Sequence, residues 1–413
     1  MCSDPMADGT RTISRETEFI INWFRKHYER SPPPPPERFG RREFGFMFFD
    51  RDFVQRHVAF TRVNELASFL VSQVPAHVYY SSAYYEVPSA PTMEEKGWLG
   101  ADLIFDLDAD HIKGAESMSY PEMLSNVKKE IIRLLDEFLM GDLGFGSRDI
   151  KVVFSGGRGY HVHVSDDRVT SLRSHERREI VDFITGTGLD IDWLFPMGPF
   201  EKRQFKHVTK IGISRRFPSA RSAAWRRRLR KGTEMLLDEI TGLSIDAIKE
   251  RYPSLKDASD HLIEKMLDDL FSKRGEIRGK ENLFEKNTLE IFSSDKVRDL
   301  FLKFVFEEVK SRVAGQVDEP VTSDIKRLIR LPFTLHGKTG LLVVKMSRDE
   351  LDEFDPLRDA VPDTFTDDPV KLITNRKIDI KLRGERFALE GEVEVPLFAA
   401  IFLLCRKEAK LAV

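Results

Sequence analysis

Asp106 and Asp108 sit in the run Asp102-Leu-Ile-Phe-Asp-Leu-Asp-Ala-Asp-His111, and Ser155-Gly-Gly-Arg-Gly-Tyr-His161 follows further along the chain. The first stretch offers paired hard-oxygen ligands for a divalent cation. The second offers a glycine turn whose main-chain N–H groups, with a hydroxyl and a guanidinium beside them, suit phosphate oxygens. Together they point to nucleotidyl transfer. A third segment, Asp318-Glu-Pro-Val-Thr322 followed by Arg327-Leu-Ile-Arg330 and His336-Gly-Lys338, supplies another carboxylate and more candidate phosphate ligands.

Each of these has a plainer alternative. The 68 acidic residues among 413 give about 11 acid-x-acid spacings by chance, so the pair alone decides little. Its setting adds weight, because two aspartates ending an apolar strand are costly unless a cation neutralises them. A calcium loop over Asp106, Asp108 and Asp110 fails, with His111 where glycine is needed and Ser117 where glutamate is needed. The glycine turn is neither a Walker A loop nor a dinucleotide fingerprint. A simple hairpin turn would account for its glycines but not for Arg158 and His161. Arg330, His336 and Lys338 equally suit a solvated basic strand and turn.

The elements that must position these residues are legible in outline. Ser14 caps an opening helix with Phe19, Ile20, Trp23, Phe24 and Tyr28 at helical spacing, and Pro32–Pro36 ends it as a stiff extended connector. Residues 42–46 read as a strand. Along 101–108 the even positions 102, 106 and 108 are acidic and the odd ones apolar, so the carboxylates share one strand face. Pro121 opens a helix with the stripe Leu124, Val127, Ile131, Leu134 and Phe138, closed at Gly141. A strand at 151–154 completes a crossover unit that brings aspartates and glycine turn to one sheet edge, and 161–164 reads as a further strand after the turn, with His161 and His163 on one face.

From about 200 to 310 the pattern becomes charged and helical, an inserted and mostly helical subdomain of 201–310. It interrupts one core made of 1–200 and 311–413. Residues 202–231 hold 12 Lys/Arg and no acid, which favours contact with a phosphate backbone over a solvated helix face. The net charge of −3 says nothing about partners. Only Cys2 and Cys405 are present, which excludes a disulfide framework and any cysteine-based zinc or iron–sulfur site. The longest apolar run, 396–405, is half of what a membrane span needs, so a buried C-terminal helix and a cytoplasmic setting are expected.

These segments resemble the small, catalytic subunit of archaeal and eukaryotic-type DNA primases, most of all the archaeal ones. The likeness extends to residues 42–46, 79–85, 97–112 and 395–406, nearly the whole chain. It implies an α+β (mixed α/β) fold, a catalytic core of mixed β-sheets flanked by helices. It also implies a nucleotidyltransferase making short RNA or DNA primers on single-stranded DNA from nucleoside triphosphates, for DNA replication. Asp106, Asp108 and Asp318 match the family's catalytic metal ligands, for two Mg²⁺ or Mn²⁺ ions. Ser155, Arg158, His161, Arg330 and His336 match its triphosphate contacts, and Glu43 and Arg56 match positions near the nucleotide. A larger partner subunit, making a heterodimer, is implied as well. The family's small zinc knuckle is not: no cysteine lies between 2 and 405, so no structural zinc is expected.

Overall fold

The computed structural model describes residues 13–111, 114–205, 208–274 and 277–412, and of 111, 115, 199–205, 208–211, 274 and 277 only the backbone. Cys2 and the side chains of Lys202, Arg203, Lys206 and Lys210 lie outside the described set. The chain divides into two compact units, one running up to Val181 and resuming at Gln316, the other Asp182–Gly315. Helices and several small antiparallel sheets are mixed along the chain, an α+β fold.

In the first unit the elements that matter are strands β1 (Phe44–Met47), β2 (Val54–Val58), β3 (His77–Ser81), β4 (Leu103–Asp108), β5 (Ile150–Phe154), β6 (Gly159–Val164), β7 (Leu328–Arg330) and β8 (Val344–Met346). They form two four-stranded antiparallel sheets, ordered β7-β3-β1-β2 and β8-β5-β6-β4. Helices α1 (Arg15–Arg30), α2 (Tyr120–Arg133), α3 (Glu319–Ser323) and α4 (Leu397–Cys405) accompany them.

Ser14 caps α1 by accepting from Thr17 N at 3.2 Å, and Ile20, Phe24, His27 and Tyr28 form its buried stripe. Phe19 and Trp23 stay half-buried and meet edge to face. All nine residues of α4 are buried. Each large apolar side chain among them contributes roughly 1.5–3 kcal/mol of burial. No helix among the described residues is long and apolar enough to cross a membrane.

The acidic strand and the glycine turn meet because β4 and β5 both pair antiparallel with β6, which lies between them. They therefore run parallel to each other, with α2 as the crossover, and their C-terminal ends share one edge. Ser119 and Glu122 make a capping box at the start of α2, with Pro121 in its first turn. Past Arg133 the helix widens into a π-type turn, Leu134–Leu139, which buries Leu134, Leu135, Phe138 and Leu139 together. A regular helix would carry some of these four off the core-facing stripe.

Buried histidines make this fold acid-sensitive. Burial pushes His163 down to about 3, His27 to about 4 and, with Arg330 and Lys338 adding repulsion, His77 to about 2. These rings are neutral in the folded chain, whereas the unfolded chain protonates them below about 6.5. Stability is therefore full above that value and falls with pH towards each folded value. Going from pH 7 to pH 5 is expected to cost about 1–2 kcal/mol per histidine. Urea midpoints at the two pH values check this, and equal midpoints would contradict it.

The second unit contains a hairpin of Met197–Phe205 and Val208–Arg215, followed by the packed helices Ala224–Ile240 and Asp295–Val313. The hairpin adds two strands to a stretch read as mostly helical, where dense charge hides strand alternation. The basic run also needs correction at its densest part. Arg228 is buried, Arg226 donates to Trp193 O, and Arg230 donates to Pro218 O, Phe284 O and Asn287 Oδ1 at 2.7–2.8 Å. Arg228 and Arg230 are thus spent on the unit's own packing and Arg226 on a surface bond, while Arg221, Arg227 and Lys231 are exposed.

Candidate nucleotide and metal site

The carboxylates of β4 stand where its pairing with β6 ends. Asp106 lies opposite His161 and Asp108 opposite Gly159, so alternation puts both side chains on the sheet face that His161 shares. Asp106 Oδ1 is 3.4 Å from His161 Nε2. Gly159 is needed here because a Cβ would meet Leu107 O at 2.6 Å. The main chain of Asp318, the residue before α3, donates N–H to Asp106 O at 3.1 Å. The third acidic residue is therefore tied to the same strand end from far along the chain.

Asp108 titrates high: burial raises it first, Asp110 and Asp106 add repulsion, and Arg158 opposes them. Its Oδ1 is buried and has no hydrogen-bond partner among the described residues, with Arg158 Nε 3.9 Å away. An orphaned carboxylate oxygen beside a second carboxylate fits a hard cation, and oxygen-only donors suit Mg²⁺ or Mn²⁺. No three carboxylate or imidazole groups among the described residues already converge as a ligand cluster.

The glycine turn is built to receive a loop of the other sheet's extension. Ser155 Oγ accepts from Gly157 N and Gly159 N, both at 3.3 Å, and Gly156 adopts φ +76°. A Cβ on Gly156 would lie 2.7 Å from His336 Cβ, so the glycines let His336 rest on the turn. Arg330, at the end of β7, donates from Nη2 to His336 Nε2 at 3.2 Å. That leaves Nδ1 to donate to Thr339 Oγ1 at 3.2 Å, and the Thr339 hydroxyl to donate to Gly156 O at 2.5 Å. The network assigns the neutral Nδ1–H tautomer to His336, and burial beside Arg330 holds the ring well below its usual value.

Burial also lowers Arg330, partly offset by Tyr79, Asp106 and Asp108. Its Nη1 has no partner among the described residues, and its guanidinium lies 4.7 Å over the Tyr79 ring. His161 is pushed down to about 3 by burial, then by Arg330 and Arg327, and its Nδ1 likewise has no partner among the described residues. Arg158 is half-exposed and bound to Asp110 at 2.7 Å. Ser155, Arg158, His161, Arg330 and His336 thus gather around the carboxylate edge. Arg158, Arg330 and the Ser155 hydroxyl are the donors beside the acidic strand end, while His336 has both nitrogens engaged, by Arg330 and Thr339, and holds Arg330 in place.

Glu43 and Arg56 form another cluster. Glu43 is fully buried, 2.9 Å from Lys96 Nζ, and takes two bonds from Arg56 at 3.1 Å each. The sequence reading missed several supports. His77 packs its ring 4.7 Å from His336, Tyr120 donates to Gly157 O at 2.5 Å, and Thr339 closes the histidine network. None of these carries a local pattern, since each is recruited by tertiary contact. Lys338 is exposed.

The family model for the DNA primase small subunit matches residues 105–348. The DNA primase small subunit PriS of Methanocella arvoryzae is 42% identical over 412 residues, covering 98% of this chain and 99% of that protein. The PriS of Methanothrix thermoacetophila is 40% identical over 408 residues, covering 95% and 98%. Among solved structures, the polymerase domain of Mycobacterium tuberculosis ligase D in complex with DNA overlaps 85% of this chain and 89% of its own. The identity is 11% and the TM-score 0.31, too distant to bear on fold or function.

Proposed function

Since the chain belongs to the DNA primase small-subunit family, whose work is primer synthesis for DNA replication by a nucleotidyltransferase-type polymerase, we propose that it starts short RNA or DNA primers on single-stranded DNA from nucleoside triphosphates. One observation carries the reading: the edge of β4, with the buried and unbonded Asp108 Oδ1, and the donor cluster around the glycine turn occupy the same edge of one sheet. An acidic edge alone would repel a triphosphate, and a basic cradle alone would bind one without reacting.

Asp106, Asp108 and Asp318 would hold two Mg²⁺ or Mn²⁺ ions. Bound there, such ions supply charge neutralisation for the triphosphate and a more acidic attacking hydroxyl. The chain's own residues bind and orient. His161, neutral and beside Asp106, donates from Nε2 and fixes that carboxylate. Arg330 and Arg158 meet phosphate oxygens with charge-assisted bonds, and the glycine turn supplies N–H groups. No protein nucleophile takes part. The reading includes a larger partner subunit bearing iron–sulfur chemistry, a cytoplasmic setting and no structural zinc.

Arg330→Ala is expected to raise the KM for nucleoside triphosphate roughly 10–100-fold with a smaller change in kcat, the size of one or two charge-assisted bonds. Steady-state kinetics check it. For the function itself the test is primer-free synthesis on single-stranded template with labelled triphosphates. Metal-dependent dinucleotides and short oligomers are the expected products. Extension of supplied primers alone would replace initiation by gap filling, and no product at all would leave only strand binding.

A further inference from the structure

The same sheet face that carries Asp106 continues away from the carboxylate edge into a second cleft. Lys151 lies opposite His163, Lys345 lies opposite Val153, and alternation puts all four side chains on the face of Asp106 and His161. The cleft's other walls come from Pro34–Pro36, Leu331, Pro332 and Phe333, with Tyr80 and Ser165 between. Nothing in the polymerase reading uses it.

Three features of this cleft point to a ligand. First, Lys151 and Lys345 have no ion-pair partner among the described residues, although they share one sheet face and repel each other. Of the acids in the lining, Asp102 is answered by Arg42 at 2.7 Å and by Tyr84 and Ser165, which leaves the rim residue Glu37, while Glu350 outside the lining interacts electrostatically with Lys151. Second, His163 is 5% exposed and its Nε2 has no hydrogen-bond partner among the described residues. Nδ1 and the Tyr80 hydroxyl lie 3.4 Å apart and can share a hydrogen bond in either direction; with the hydroxyl as donor, Nε2 would carry the proton and need an acceptor. Third, Phe333 holds φ +65°, a region that costs a bulky residue about 1–2 kcal/mol, and yet leaves its ring 40% exposed beside the prolines. Its turn is held by Phe333 N–H donating to Val343 O at 2.7 Å, and the ring is left on the cleft's lining and not in the core.

We propose that this cleft is a second ligand site, separate from the catalytic edge, which takes a nucleotide: its phosphate on Lys151, Lys345 and the His163 ring, its base against Phe333 and the proline wall. Paired lysines and an imidazole donor suit a phosphate dianion. A flat, rigid apolar wall suits a base, which stacks without sequence preference. The His163 and His161 rings are 6.3 Å apart on one strand, so occupancy here is adjacent to the carboxylate edge.

The test uses the full chain with ¹⁵N-labelled histidine, in EDTA, titrated with AMP and followed by the side-chain nitrogen signals. Assignment of His163 comes from His163→Gln. AMP is expected to move the His163 signals, equally in the Arg330→Ala background. Lys151→Glu and Lys345→Glu should each weaken the response at least about ten-fold, and Phe333→Ala should bring AMP down to the affinity of inorganic phosphate. Both lysines are surface-facing, and unchanged thermal midpoints confirm intact folding. A response confined to His161 and His336, or one abolished by Arg330→Ala, would overturn the second site. Inorganic phosphate binding as tightly as AMP to the parent chain would overturn its assignment to nucleotides.

Discussion

Replacing Asp106 and Asp108 together by alanine is expected to abolish primer synthesis, by about a thousand-fold or more, while leaving the thermal midpoint of the metal-free chain unchanged or slightly raised. The separation follows from where these residues stand. Both end β4 at half-buried positions, and the pairing of the strand with β6 is made by backbone that alanine preserves. Asp108 titrates above its usual value because burial and its acidic neighbours disfavour its charge. A group whose folded value is raised destabilises the fold as pH climbs through that window, so at neutral pH its removal relieves a cost. Primer assays and thermal melts on one preparation check both halves. A variant that loses activity only because it melts early would show the carboxylates to be structural.

The opposite behaviour is expected two turns of the pleat away. Asp102→Ala should lower stability by about 3–5 kcal/mol, because it strands the buried Arg42 guanidinium. Arg42 reaches Asp102 at 2.7 Å, Tyr84 OH at 3.0 Å, Ser81 O at 2.6 Å and Ser82 O at 3.1 Å. Asp102 also receives Tyr84 and Ser165, while Arg177 binds its carbonyl at 2.8 Å. This node ties the segment after β3 to the start of β4 and so sets the position of the catalytic edge. Arg42, through its charge and its hydrogen bond, outweighs burial and keeps the Asp102 carboxyl below its usual range. Its stabilising share is therefore present above the unfolded value and lost as pH falls through the folded one. The paired change Arg42→Met with Asp102→Leu should cost less than Asp102→Ala alone, since no lone charge remains. Urea denaturation of the single and double variants measures this. A loss under 1 kcal/mol in Asp102→Ala would mean the guanidinium finds water instead.

Asp102 also shows how far the sequence could be read. Alternation along 101–108 correctly put three carboxylates on one face, yet it could not tell the structural one from the other two. Only the partner does, and Arg42 comes from a different sheet's approach strand. The crossover from β4 through α2 to β5 was legible because its signals are local: a proline in the first turn, an apolar stripe and a closing glycine. That β6 slips between β4 and β5 was not, since strand order is decided by long-range pairing. The same holds for Arg330 and His336, whose spacing is compatible with any solvated turn until Gly156 and Thr339 lock the histidine. In the basic run, composition saw charge but not direction: Arg228 is buried, Arg230 binds main-chain and amide oxygens, and Arg226 lies along the Trp193 main chain.

The central claim is that Asp106, Asp108 and Asp318 act as one ligand set facing a triphosphate on the glycine turn. Anomalous diffraction from crystals of the full chain grown with Mn²⁺ and a nucleoside triphosphate tests it most directly. The account predicts manganese peaks within bonding distance of all three carboxylates, with the phosphates between them and Arg158, Arg330 and His336. Manganese held by Asp106 and Asp108 with the Asp318 carboxylate turned away, or a triphosphate bound elsewhere on the chain, would contradict it.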